Sequence, residues 1–189
     1  MSRIAAKWFI AAGAIGLSLY VVVSLLLEDA EYYDASTFGD YVFVTGVTTI
    51  LVLAGVPLVL LWRDPPVSRG SFLLLTAGLG AIAEGLGNFL EDVFDVEAAV
   101  WLFFGGGIVL MLSLLGAGIL ALTVNSPDRW SGLFLLLGVP GGMLGFGWVV
   151  LGVSWILFGF WILHRHRYLV VATAAAVVPL GVVGILLNT

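Results

Sequence analysis

The residues best able to do chemistry lie in one stretch, Ala83-Glu-Gly-Leu-Gly-Asn-Phe-Leu-Glu-Asp-Val-Phe-Asp95. Within it Glu84, Asn88, Glu91 and Asp95 follow one another at intervals of 4, 3 and 4. That spacing puts all four on one face of a helix. Ala81 and Gly85 border the face, so it is expected to point into a helix bundle, because small residues mark the surfaces where helices meet. Glu91 can reach the end of its helix. Glu84 cannot: if the helix leaves the membrane near Glu91, Glu84 lies about 10 Å below that surface.

An ionisable residue at such a depth is costly and marks a functional candidate. None of the predicted spans contains Lys or Arg to pair with it. A carboxyl without a counter-charge is expected to be neutral there, or to hold a cation or water. Two uses follow. In one, Glu84 is polar glue, hydrogen-bonded to Asn88 or to a neighbouring helix. In the other, it belongs to a small outward-facing polar cavity. Thr45, Thr48 and Thr49 on the second span, and Tyr20 on the first, lie at similar depth. Backbone breaks are expected at Gly105–Gly107, Pro140–Gly142 and Pro179, all in the outer halves of their spans. Breaks of that kind free carbonyl groups, which must face protein or water.

The other chemistry-bearing groups read as surface. His164 and His166 are two apart, on different faces of a helix, and fit a basic turn at the headgroups better than a metal site. The acidic runs Asp29-x-Glu31-x-x-Asp34 and Glu91-Asp92-x-x-Asp95-x-Glu97 lack the ligand spacing and central glycine of a calcium-binding loop, and read as solvated loops. The chain has no cysteine, which removes disulfides, thiol catalysis and cysteine-ligated metals. No phosphate-binding loop, dinucleotide fingerprint, HExxH or GxSxG is present. A retinal-type lysine in the last span is also missing. No cofactor and no metal are expected.

These residues must be positioned by helices in a bilayer. Of 189 residues, 61% are hydrophobic and 10% charged, against about 25% charged in a soluble domain. The mean hydropathy is +1.17. A water-soluble fold could not hide so much apolar surface, whereas lipid solvates it directly. The 7 basic and 12 acidic residues argue against nucleic acid as a partner, since that needs clustered positive charge.

A helix needs about 20 apolar residues to cross the hydrocarbon core. Trp8–Leu27, Tyr41–Trp62, Ser71–Leu90, Ala98–Leu122 and Tyr168–Leu187 meet that length. Trp8–Leu27 has no small-x-small cleavage site after it and reads as a retained span rather than a signal peptide. Thr37-Phe-Gly-Asp40 has capping-box spacing before the second span, and Asp64-Pro65-Pro66 follows its end. Ser126-Pro127 resembles a helix start before the fifth.

Ser131–Leu163 is uncharged and too long for one ordinary helix. It is either one kinked span or two short ones turning near Gly145–Gly147. Charge favours two. Basic residues collect on the cytoplasmic side of short loops. With seven spans all seven Lys and Arg lie inside and nine of twelve acids outside; with six, Arg165 and Arg167 fall on the wrong side. The cost is a pair of short helices of roughly 24 Å each, a mismatch that costs fractions of a kcal/mol per Å.

The expectation is therefore an all-α polytopic transmembrane helix bundle, residues 1–189 forming a single domain with short loops, seven spans favoured and six the alternative. It would sit in the cell membrane with its N-terminus cytoplasmic and its acidic loops outside. Its function would be that of a non-enzymatic component binding lipid, partner helices or a second copy of itself. The alternative is a small transporter or channel built on Glu84, Asn88, Glu91, Thr45, Thr48 and Thr49.

Overall fold

The computed structural model describes residues 2–26, 36–62, 71–123, 129–139 and 147–164. They are all helical apart from short turns. Six α-helices follow in order: α1 (Ser2–Leu26), α2 (Phe38–Leu61), α3 (Ser71–Phe94), α4 (Val100–Thr123), α5 (Arg129–Gly138) and α6 (Gly147–His164). A 3-10 turn over Glu97–Ala99 leads into α4. Among the described residues, Phe38–Leu61, Ser71–Phe94 and Glu97–Thr123 are long and apolar enough to cross a membrane. The span expected at Tyr168–Leu187, the proline-glycine segment at 140–146 and the stop signal Asp64-Pro65-Pro66 lie outside the described residues, as does Ser126-Pro127.

Each helix packs on the next in sequence, and α6 closes the circuit against α1. Four of these seams bring glycines face to face: Gly55 with Gly78 between α2 and α3, Gly80 with Gly106 between α3 and α4, Gly118 with Gly132 between α4 and α5, and Gly13 with Gly152 between α1 and α6. A side chain at any of them would meet the backbone of the opposite helix, so only glycine allows this approach. The pairings also fix direction. Gly80 lies at Gly106 and Leu110 while Gly87 lies at Phe103, so α3 and α4 are antiparallel. Gly55 at Gly78 with Gly85 at Thr48 makes α2 and α3 antiparallel, and Gly132 at Gly118 and Leu122 with Leu136 at Gly118 does the same for α4 and α5. Gly159 at Ala6 with Gly152 at Gly13 makes α6 antiparallel to α1. Leu19, near the end of α1, meets Gly46, near the start of α2. Counting round the circuit, α5 runs with α1 and α6 against it. The helices α5 and α6 therefore run in opposite directions.

Local sequence sets the helix ends. Thr37 and Asp40 form the reciprocal capping box that their spacing suggests: Asp40 N–H donates to Thr37 Oγ1 (3.2 Å) and Thr37 N–H donates to Asp40 Oδ2 (2.7 Å). At the other end of α3, Asp95 takes a left-handed conformation (φ 53°). Its N–H donates to Glu91 O (3.0 Å), the bond of a left-handed helix cap, and that of Val96 donates to Leu90 O (3.1 Å). The helix thus continues one turn past the expected Leu90, with Asp92 buried.

One sequence expectation is corrected here. Gly105–Gly107 does not break α4, which is helical from Val100 to Thr123. In place of a break, Gly106 is buried against α3 while Gly105 faces open space. The aromatic residues divide between surface and interior. Trp8 and Trp62 are exposed near one end of the bundle, Tyr41 and Trp101 near the other. Trp155 is fully buried and stacks on Phe9 at 5.3 Å, with Phe158 against Phe9 at 5.0 Å.

Candidate functional site around Glu84 and Asn88

Alternation of direction gathers the start of α1, with Arg3 and Lys7, the start of α5 at Arg129, and the end of α6 at His164 at one end of the bundle. Asp40, Glu91, Asp92, Asp95 and Glu97 lie at the other. Arg165 and Asp34, which belong to the same expected segregation, lie outside the described residues. Glu84 is the exception among the described acids. It sits ten residues, about 15 Å of helix, before the end of α3 at Phe94.

Glu84 and Asn88 both turn inward, 7% and 1% exposed. Glu84 faces α4 at its glycines. A methyl group at Gly106 would come within 2.9 Å of Glu84 Cα, and one at Gly107 within 3.4 Å of Glu84 Cδ and Oε1. The first glycine brings the helices together; the second leaves room for the carboxyl. Asn88 lies one turn further on, on the same buried face as Ala77 and Ala81. Among the described residues, Glu84 Oε2 and Asn88 Nδ2 are buried without a hydrogen-bond partner. That differs from the polar-glue expectation, in which they bond to each other or to a neighbouring helix.

The threonines divide. Thr48 faces α3 and donates its hydroxyl to Gly85 O (3.1 Å). Thr45 and Thr49 lie with Phe38 and Tyr41 on the exposed stripe of α2, and the Thr49 hydroxyl donates to Thr45 O of its own helix (2.8 Å). The structure thus brings Thr48 to the flank of the Glu84 helix and leaves Thr45 and Thr49 outside. Glu91 is half-buried in the last turn of α3. The side chain of Tyr20 is outside the described residues.

Two polar seams have no counterpart in the sequence reading. Thr76 Oγ1 and Ser113 Oγ are 2.8 Å apart between α3 and α4, and Thr76 donates to Leu73 O (3.1 Å), which leaves Ser113 as donor to Thr76. The buried Ser154 hydroxyl of α6 donates to Phe134 O of α5. Lone hydroxyls in apolar runs give no spacing signal, since each can bond its own helix instead. Among the described residues, no group of three or more His, Asp or Glu side chains is arranged to hold a metal ion.

Fold and site together define an all-helical protein with membrane-length apolar helices and a buried carboxyl–amide pair between two of them. No family model, curated protein or solved structure matches the chain.

Proposed function

We propose that this chain is a multi-pass integral membrane protein of the cell membrane, acting as a non-enzymatic component that binds lipid or partner helices. The observation that carries the reading is the outward face of α4. Trp101, Leu102, Phe104, Ile108, Leu112 and Ile119 are all exposed, Trp101 by 80%. A contiguous apolar face of this length calls for an apolar partner, either lipid tails or the apolar face of another helix. The chain reversal between α5 and α6 supports seven crossings over six. Basic residues gathered at one end support a cytoplasmic N-terminus, and the acidic α3–α4 turn then lies outside.

A second reading has its own observation. Glu84 and Asn88 carry buried polar atoms that none of the described residues satisfies, as in a small transporter or channel whose ligand binds there. One reconstitution separates the two. In liposomes, the first reading expects no proton or cation flux above protein-free controls, and alkaline carbonate leaves the protein in native membranes. Flux that is lost in Glu84→Gln overturns it in favour of transport. Release by carbonate removes both.

A further inference from the structure

Among the described residues, no neighbour bonds Glu84 Oε2 or Asn88 Nδ2. On α4 the carboxyl faces Gly107, which has no side-chain donor. On α2 the nearest hydroxyl of the threonine row, that of Thr48, is committed to Gly85 O. The unmet needs are complementary: Glu84 Oε2 can accept a hydrogen bond, and Asn88 Nδ2 must donate one. They sit one helical turn apart on the same buried face, where side chains four residues apart are neighbours.

The chemistry of the pair selects the ligand. A bare cation fits the carboxyl but is repelled by the amide N–H groups. An anion fits the amide and is repelled by the carboxyl. A molecule that donates with one atom and accepts with the same atom satisfies both, and water is the smallest. Buried water in proteins characteristically joins polar groups that would otherwise be unsatisfied. The bare Cα of Gly107 beside the carboxyl leaves the space that a larger residue would take.

We infer that Glu84 and Asn88 are a binding site for a buried water molecule, which donates to Glu84 Oε2 and accepts from Asn88 Nδ2. The water links the carboxyl to exchange with solvent protons at a depth where no ionisable partner is offered by the α4 residues against it. The inference holds under either reading of the function.

Infrared difference spectroscopy of the full chain in lipid bilayers tests it. The Glu84 carboxyl vibration is assigned by its loss in Glu84→Gln. It is expected to shift in D2O and to shift again in Asn88→Leu. A bound-water O–H band, sensitive to H2(18)O in the wild type, is expected to vanish in Asn88→Leu. Asn88→Ala serves in the same comparison where the leucine variant fails to fold, judged by circular dichroism. A Glu84 band indifferent to D2O overturns the site, as does one unchanged by loss of the Asn88 amide. So does a band that moves with sodium or potassium concentration and ignores H2(18)O, which would make the ligand a cation.

Discussion

Gly105, Gly106 and Gly107 stand in a row on α4 yet face three different surroundings, so alanine at each isolates what the α3–α4 seam contributes. Alanine gains about 1 kcal/mol over glycine inside a helix. That gain is common to all three and cancels between them. At Gly105 nothing lies within 4 Å of the new methyl group. At Gly106 the methyl would lie 2.7 Å from Gly80 O and 2.9 Å from Glu84 Cα. These are backbone atoms of a packed helix, and they cannot rotate aside. Overpacking of that kind costs about 1–3 kcal/mol. Gly106→Ala is therefore expected to be less stable than Gly105→Ala by about 1–3 kcal/mol. Gly107→Ala meets only the Glu84 carboxyl, at 3.4 Å, and should fall close to Gly105→Ala in stability. Reversible unfolding in mixed micelles, followed by circular dichroism, measures all three. Equal stability of the Gly105 and Gly106 variants would refute the close α3–α4 approach, and with it the placement of Glu84 under α4.

Two further outcomes follow from local geometry. Thr48→Val removes the bond to Gly85 O and is expected to cost about 0.6 kcal/mol, the usual worth of an interhelical hydrogen bond in a membrane. Thr49→Val loses only a bond within α2 and should unfold with the wild type, so equal effects of the two in the same assay would contradict the orientation of α2. Asp95→Gly relieves a left-handed backbone at φ 53° and is expected to stabilise by about 0.5–1 kcal/mol, read as a higher midpoint of thermal unfolding; a lowered midpoint would mean that the aspartate side chain holds the turn.

How much of this was legible in the sequence depended on whether a residue carried a local signal. The start of α2 was legible because Thr37 and Asp40 satisfy each other's backbone, and the spacing alone implies it. The end of α3 was not. Glu91 and Asp92 look like the start of a solvated loop, yet the helix runs on and buries Asp92, because its stop comes from the left-handed Asp95. The three glycines of α4 suggested a break for the reason they suggest one in water. Between Trp101–Phe104 and Ile108–Leu112 there is only apolar chain, and a backbone in lipid has no partners but its own helix. Depth could be read from residue counts, which placed Glu84 and the threonines at one level. Azimuth could not. In α2, uncharged from Tyr41 to Leu61, no stripe reveals which face turns inward, and Thr48 parted from Thr45 and Thr49 only when α3 was seen beside it. The glycine seams were hidden by abundance. With 25 glycines in the chain, small-residue rows can be drawn on several faces, and Ala77, Ala81 and Gly85 made one row while Gly78, Gly80 and Gly87 made other close contacts.

The hydrogen bonds between helices bear on what Glu84 is for. In three seams a hydroxyl joins neighbours: Thr48 to Gly85 O, Ser113 to Thr76, and Ser154 to Phe134 O. Hydroxyls suffice as adhesive in an apolar bundle because each carries both a donor and an acceptor and costs little to bury once bonded. A carboxyl is a poor substitute. It is larger, costlier to desolvate, and here it ends against glycines that offer it no bond. Were adhesion its purpose, an acid at residue 84 would be expected to reach a hydroxyl as Thr76 does one turn from Gly80 on the same helix. The Glu84 carboxyl, with its unbonded Oε2, instead ends against the bare Gly107 of α4. Such an arrangement retains a polar group at a cost in stability, which the water proposed between Glu84 and Asn88 would relieve.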